Sequence, residues 1–293
     1  MNILANRFII KKIVPIKGHL QPETLGGNVV KISKVYCAYF SPGDTTKKIA
    51  TGIGECFKEY PVEKINLTDY DMRKNHFRFT ENQLLIIGVP VYGGRIPTPV
   101  ADVLTRFRGI STPVVLVACY GNRAVDDALM ELYKELGSRG FAPVAAASFV
   151  CQHTYLSDLA AGRPDEKDMA VVKEFGDKIK ERLRLAVLYD MKKLDIPGSY
   201  PYEKPPMTQF PFNVETNEYC IYCMLCAGVC PMKAISDSNP RDINNDICLR
   251  CGACIRICPA QAKSFTEGPL EALRDKLLRP LCDTRQEPWY TIG

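Results

Sequence analysis

Two runs of cysteine share one spacing, C-x2-C-x2-C-x3-C-P: Cys220, Cys223, Cys226, Cys230 and Pro231, then Cys248, Cys251, Cys254, Cys258 and Pro259. Each member of the first run recurs 28 residues later, and Asn217/Asn245 and Ala234/Ala262 recur with them, which marks an internal duplication. Three thiolates separated by two residues each can curl around one face of a cubane on a tight loop, while the fourth, followed by a proline that ends the turn, points toward a second cluster. The ligands are therefore expected crosswise. One 4Fe-4S cluster takes Cys220, Cys223, Cys226 and Cys258, and the other takes Cys248, Cys251, Cys254 and Cys230. Zinc usually takes its four ligands as two pairs and has no use for the middle third thiol or the C-P step. Disulfides would suit a secreted chain.

The cysteine repeat fills a small part of 293 residues, so a larger unit must precede it. A hydrophobic fraction of 46% with 24% charged residues is ordinary for a globular protein and speaks against bulk disorder. The formal charge of +5 counts the cysteines as neutral. Two oxidised clusters, each about −2 with its thiolates, would bring it to roughly +1, which gives no case for nucleic acid. No apolar run reaches the roughly 20 residues of a membrane span, and Met1 to Leu20 lacks the apolar core and cleavage site of a signal peptide. A cytoplasmic protein is expected, where thiols stay reduced.

Residues 34–190 alternate short apolar runs with amphipathic stretches, the pattern of βα units around a parallel sheet. Strands are expected at Lys34–Phe40, Val62–Leu67, Gln83–Val89, Pro113–Cys119 and Phe141–Phe149, and helices at Thr45–Tyr60, Pro99–Arg108, Arg123–Arg139 and Asp165–Tyr189. The expected domains are thus an N-terminal extension of unknown structure (1–33), an α/β unit (34–190), a Pro-rich linker (191–212), the two-cluster unit (213–267), and a C-terminal helix and tail (268–293) that packs back onto the body.

In an open doubly wound sheet, ligands bind beyond the carboxyl ends of the strands, near the switch point. After the first strand come Ser41, Pro42, Gly43, Asp44, Thr45 and Thr46, small and hydroxylated residues opening a helix whose N-terminus can hold a phosphate. After the third and fourth come Pro90-Val91-Tyr92-Gly93-Gly94-Arg95 and Tyr120-Gly121-Asn122-Arg123. Each pairs an aromatic with glycine, as a planar isoalloxazine requires: a ring to stack on and bare backbone at its edge. The candidate flavin-binding residues are Ser41, Thr45, Thr46, Pro90, Tyr92, Gly93, Gly94, Tyr120, Gly121 and Asn122.

The stretches Phe40 to Lys48, Pro90 to Pro97, Tyr120 to Leu129, Cys151 to Tyr155, the linker Pro197-Gly198-Ser199-Tyr200-Pro201-Tyr202 and both cysteine runs resemble the flavodoxin-ferredoxin fusion proteins of bacteria and archaea. The resemblance implies a flavodoxin-like five-stranded parallel sheet of order 2-1-3-4-5, FMN at these loops, a small α+β two-cluster ferredoxin unit, and electron-transfer chemistry. Relatives usually carry Thr-Gly where this chain has Gly43-Asp44. Asp44 would either repel the FMN phosphate or replace it as the helix cap.

His153 lies after the fifth strand and could donate to a flavin or serve structure alone. Arg95 and Arg123 could contact phosphate or merely solvate the rim. Cys37, Cys56 and Cys119 read as small buried hydrophobes, and no acid-base pair marks a substrate. The expected function is electron transfer between two 4Fe-4S clusters and FMN, as an oxidoreductase or an electron-transfer component working with redox partner proteins or small donors and acceptors. Two alternatives stand: a non-catalytic redox or oxygen sensor, and a ferredoxin-type carrier whose flavodoxin-like part only docks, without flavin.

Overall fold

The computed structural model describes residues 31–185, 193–208 and 210–293. The extension expected at 1–33 lies outside them except for its last residues, as does the helical stretch expected at 186–189.

Five strands run parallel: β1 (Lys34–Tyr39), β2 (Val62–Asn66), β4 (Gln83–Pro90), β6 (Thr112–Tyr120) and β7 (Phe141–Val150). Their order is β2-β1-β4-β6-β7, the 2-1-3-4-5 arrangement of a flavodoxin-like sheet. A two-stranded parallel ribbon, β3 (Phe77–Phe79) with β5 (Phe107–Gly109), sits beside it. All nine residues of β6 are buried, as befits a strand covered on both faces.

Alternation along the strands divides the core into two layers. Ala38, Leu85, Ile87 and Leu116 pack under α2 (Thr98–Leu104) and α3 (Ala128–Gly137), through Val100, Val103, Leu129 and Leu132. Val35, Leu84, Ile86 and Val117 pack against α1 (Thr45–Glu55) and α4 (Glu166–Leu185), through Ile49, Ile53, Phe175 and Ile179.

The chain then wraps back over the α3 side. Asp127, 3% exposed, accepts the Ser199 and Glu203 N–H groups, both at 2.8 Å. The cysteine-rich segment follows with β8 (Val214–Thr216), α5 (Leu225–Gly228), α6 (Ala253–Ile257) and β9 (Lys263–Phe265); β8 and β9 pair antiparallel. A helical run from α7 (Pro269–Leu273) continues as one π turn and one 3-10 turn to Leu281. The tail closes as β10 (Trp289–Ile292), antiparallel on the free edge of β7, a sixth strand that periodicity did not announce.

Candidate cofactor sites

Among the described residues no three His, Cys, Asp or Glu side chains meet closely enough for a single metal ion. The eight thiols of the two runs instead ring two spaces. One is lined by Cys220, Cys223, Cys226 and Cys258, with Lys263 beside them. The other is lined by Cys248, Cys251, Cys254 and Cys230. Each thus gathers three cysteines from one run and the fourth from the other, a four-thiol donor set that fits a 4Fe-4S cluster.

The duplication is visible in the hydrogen bonds. The Ala234 N–H donates to Cys230 Sγ at 3.3 Å and the Ala262 N–H to Cys258 Sγ at 3.2 Å, so the repeated alanines serve the two repeated fourth cysteines. Burial pushes the Cys251 and Cys254 thiols up to about 12. Iron must therefore displace protons from them on assembly. Two buried cations accompany the thiols. Lys263 donates to Thr216 Oγ1 at 2.7 Å and to the Pro240 carbonyl. Arg250 donates to the carbonyls of Phe212 (3.1 Å), Asn245 and Cys248 (both 2.5 Å) and to Asn213 Oδ1 (2.7 Å).

A cavity of about 570 Å³ opens beyond the carboxyl ends of β1, β4 and β6. Ser41, Thr45, Thr46, Pro90, Tyr92, Gly93, Gly94, Tyr120 and Gly121 all line it. The Tyr92 N–H donates to the Arg95 carbonyl at 2.9 Å and the reverse bond measures 3.1 Å, closing a tight turn with Gly93 and Gly94 at φ of 60° and 89°. Gly121 has a steric reason: a Cβ there would lie 2.3 Å from His153 Cδ2, so only a bare backbone admits the imidazole to the wall. His153 Nδ1 accepts the Tyr155 N–H at 3.1 Å. Burial, with the Arg123 charge second, lowers its pKa to about 4. The neutral ring therefore carries its proton on Nε2, a donor for the cavity.

Three expectations are corrected. Asn122 does not line the cavity. Its amide donates to the Leu281 and Thr284 carbonyls at 3.1 and 2.6 Å and accepts the Gln286 N–H at 3.2 Å, so it anchors the tail. Asp44 is no cap in place of phosphate: it sits at φ 60° with no side-chain cap bond, and its carboxylate, 80% exposed, pairs with Lys47. Arg95 is not a rim residue. It forms a bidentate pair with Glu131 at 2.8 and 2.7 Å, stacks on Tyr202 at 4.0 Å and donates to the Lys204 carbonyl, holding the linker down. Arg123 does line the cavity, where it pairs with Asp126.

The sequence reading missed the part of the wall that comes from the cysteine-rich segment: Arg250, Cys251 and Arg256. No local signal marks them, because the docking of a distant segment creates their role. Tyr155 joins the two parts. It lines the cavity, and its ring stands edge-on to Phe212 and Phe265 at 5.1 and 5.3 Å, inside the core of the cysteine-rich segment. Tyr92, on the same wall, has its phenol pKa raised by burial first and by the neighbouring Cys251 second.

Residues 219–263 match the family described as the 4Fe-4S dicluster domain, and all eight cysteines of the two runs lie inside that match. No curated protein matches the chain. Among solved structures, a flavodoxin from the domain Archaea is similar at 18% identity over 51% of this chain and 98% of that one, with a TM-score of 0.36. Flavodoxin 2 of Bacillus cereus is similar at 17% identity over 50% and 98%, also at 0.36. The rubredoxin oxygen:oxidoreductase of Desulfovibrio gigas is similar at 17% identity over 53% and 37%, again at 0.36. At these values the strand order itself carries the fold assignment. An iron-sulfur unit joined to a flavodoxin-like sheet points to electron transfer.

Proposed function

We propose that the chain is an electron-transfer protein that couples two 4Fe-4S clusters to one FMN. The clusters would be held as the thiols group, by Cys220, Cys223, Cys226 and Cys258 and by Cys248, Cys251, Cys254 and Cys230. The observation that carries the reading is Cys251. It lines both the second cysteine-ringed space and the large cavity, so one ligand stands in the wall between cluster and flavin.

When bound, the clusters supply one-electron steps and FMN supplies exchange between one-electron and two-electron partners. The chain's residues supply the rest. The cavity volume suits a cofactor of this size, Tyr92 and Tyr120 offer ring faces, Ser41, Thr45 and Thr46 offer hydroxyls at the start of α1, and His153 Nε2 offers a donor. Thr46, 2% exposed, lines the cavity with its hydroxyl hydrogen-bonded to the Cys119 thiol.

The order of the relay follows from exposure. Cys223 is exposed, among Tyr219 (68% exposed), Ile221 and Tyr222, whereas none of Cys248, Cys251, Cys254 and Cys230 is exposed. Redox partners would meet the first cluster, and the second would hand on to FMN. Anaerobic reconstitution should give about eight iron, eight sulfide and one FMN per chain, and a substoichiometric one-electron reductant should bleach cluster and flavin absorbance together. Fully cluster-loaded protein that retains no FMN would instead describe a ferredoxin-type carrier.

A further inference from the structure

We propose that Arg256, from the cysteine-rich segment, is the cation of the FMN phosphate site, so that tight flavin binding requires the clusters to be in place. This rests on the flavin reading above.

A phosphate at the start of α1 needs a countercharge beyond the helix dipole. The lysines of the loop are turned to other tasks: Lys47 pairs with Asp44 at 3.3 Å and Lys48 donates to the Pro164 carbonyl at 2.8 Å. Arg123 is matched by Asp126. Arg256 is the guanidinium that reaches the loop. Its Nη2 donates to the Pro42 carbonyl at 2.9 Å and to the Cys251 carbonyl at 2.9 Å, and it lines the cavity. It lies so close over Gly43 that a Cβ there would be 3.3 Å from Nη2. No carboxylate pairs with it among the described residues, and both recorded bonds use one nitrogen, which leaves the donors of Nη1 and Nε. Thr46, whose hydroxyl is hydrogen-bonded to the Cys119 thiol, lines the same cavity.

Contingency on the clusters follows from position. Arg256 lies on α6, with Cys254 two residues before it and Cys258 two residues after it, and these are proposed ligands of different clusters. Helix α6 has five residues, too few to hold itself. Iron at both ends fixes the guanidinium over the loop; without it, the phosphate site loses its cation.

The test measures retained FMN and riboflavin by anaerobic ultrafiltration, quantifying free flavin in the filtrate. It uses reconstituted wild type, cluster-free wild type, and reconstituted Arg256→Gln and Arg256→Lys, each with its iron content determined. Arg256→Gln with full iron should bind FMN about tenfold to a hundredfold more weakly, the scale of a charge-assisted bond. Arg256→Lys should recover part of the loss, and riboflavin, which lacks the phosphate, should be unaffected. Cluster-free protein should match the Gln variant in its preference between the two flavins. Unchanged FMN affinity in Arg256→Gln, or equal weakening of both flavins, would overturn the inference while leaving the flavin reading intact. Reconstituted wild type that binds neither flavin would sink the flavin reading and the inference with it.

Discussion

The guanidinium of Arg73, in the segment after β2, donates to the carbonyl of Pro231, the residue that follows Cys230. It also donates to the carbonyls of Leu67, Thr68 and Asp69 at 2.7, 3.1 and 3.3 Å. No carboxylate pairs with it among the described residues, so a buried positive charge of the sheet unit rests against the residue that follows Cys230, a proposed cluster ligand. Reduction adds negative charge to a cluster, and a fixed cation nearby favours the reduced form. Arg73→Met should lower the potential of the cluster bound by Cys230 by roughly tens of millivolts, as expected for one charge about 10 Å away at an effective dielectric of about 20. The other cluster should shift less. An EPR-monitored redox titration reads both, and equal shifts would defeat the argument.

Crossed ligation predicts an unequal effect of Cys230→Ala. The cluster held by Cys248, Cys251 and Cys254 should be lost or degraded, with iron falling from about eight toward about four. The cluster on the run that contains position 230 should survive. Selective loss of the latter would reverse the ligand scheme.

His153 predicts a pH dependence of stability. Its folded pKa of about 4 lies below its ordinary 6.5, so between these values the unfolded chain binds the extra proton. The stabilisation is fully present above pH 6.5 and is lost as pH falls to about 4. Its size is about 1–3 kcal/mol. In His153→Asn, whose side-chain oxygen can still accept the Tyr155 N–H, denaturant melts at pH 7 and pH 5 should differ less than in the wild type. An identical difference would show that other groups carry it.

At Asp44 the backbone decides. A non-glycine residue at φ 60° is strained, and its exposed carboxylate makes no cap bond. Asp44→Gly should leave stability unchanged or raise it by a few tenths of a kcal/mol up to about 1, and FMN affinity should stay within about twofold. Marked tightening of FMN would mean that the carboxylate does face the phosphate.

Much of this was legible in the sequence wherever the determinants were local. β1, β2, β4, β6 and β7 begin and end within a residue or so of the expected bounds; β4 and β6 do so because strands covered on both faces are continuously apolar, whereas edge strand β2 buries Ile65 alone. The eight thiols line two spaces, each taking three from one run and one from the other. What escaped detection depends on contacts between distant segments. Nothing in Trp289–Ile292 says that its partner is β7, about 140 residues earlier, and Asn122 looked like a cofactor residue because its loop is one, although its amide is spent on the tail. Arg256 was hidden in plain spacing between Cys254 and Cys258.

Strand β10 bears on how this protein can be divided. The segment bearing the clusters leaves the sheet after α4 and the chain returns to it at β7, where Arg182 Nε donates to the Gly293 carbonyl at 2.6 Å and Lys178 Nζ to Tyr290 Oη at 2.6 Å. The iron-sulfur unit is thus an insertion between parts of one sheet, secured at both its ends, rather than a module carried on a leash. A truncation ending after α4 would free the edge of β7 for self-association, and reassorting the two units by gene fusion at the linker would break the sheet it meant to preserve.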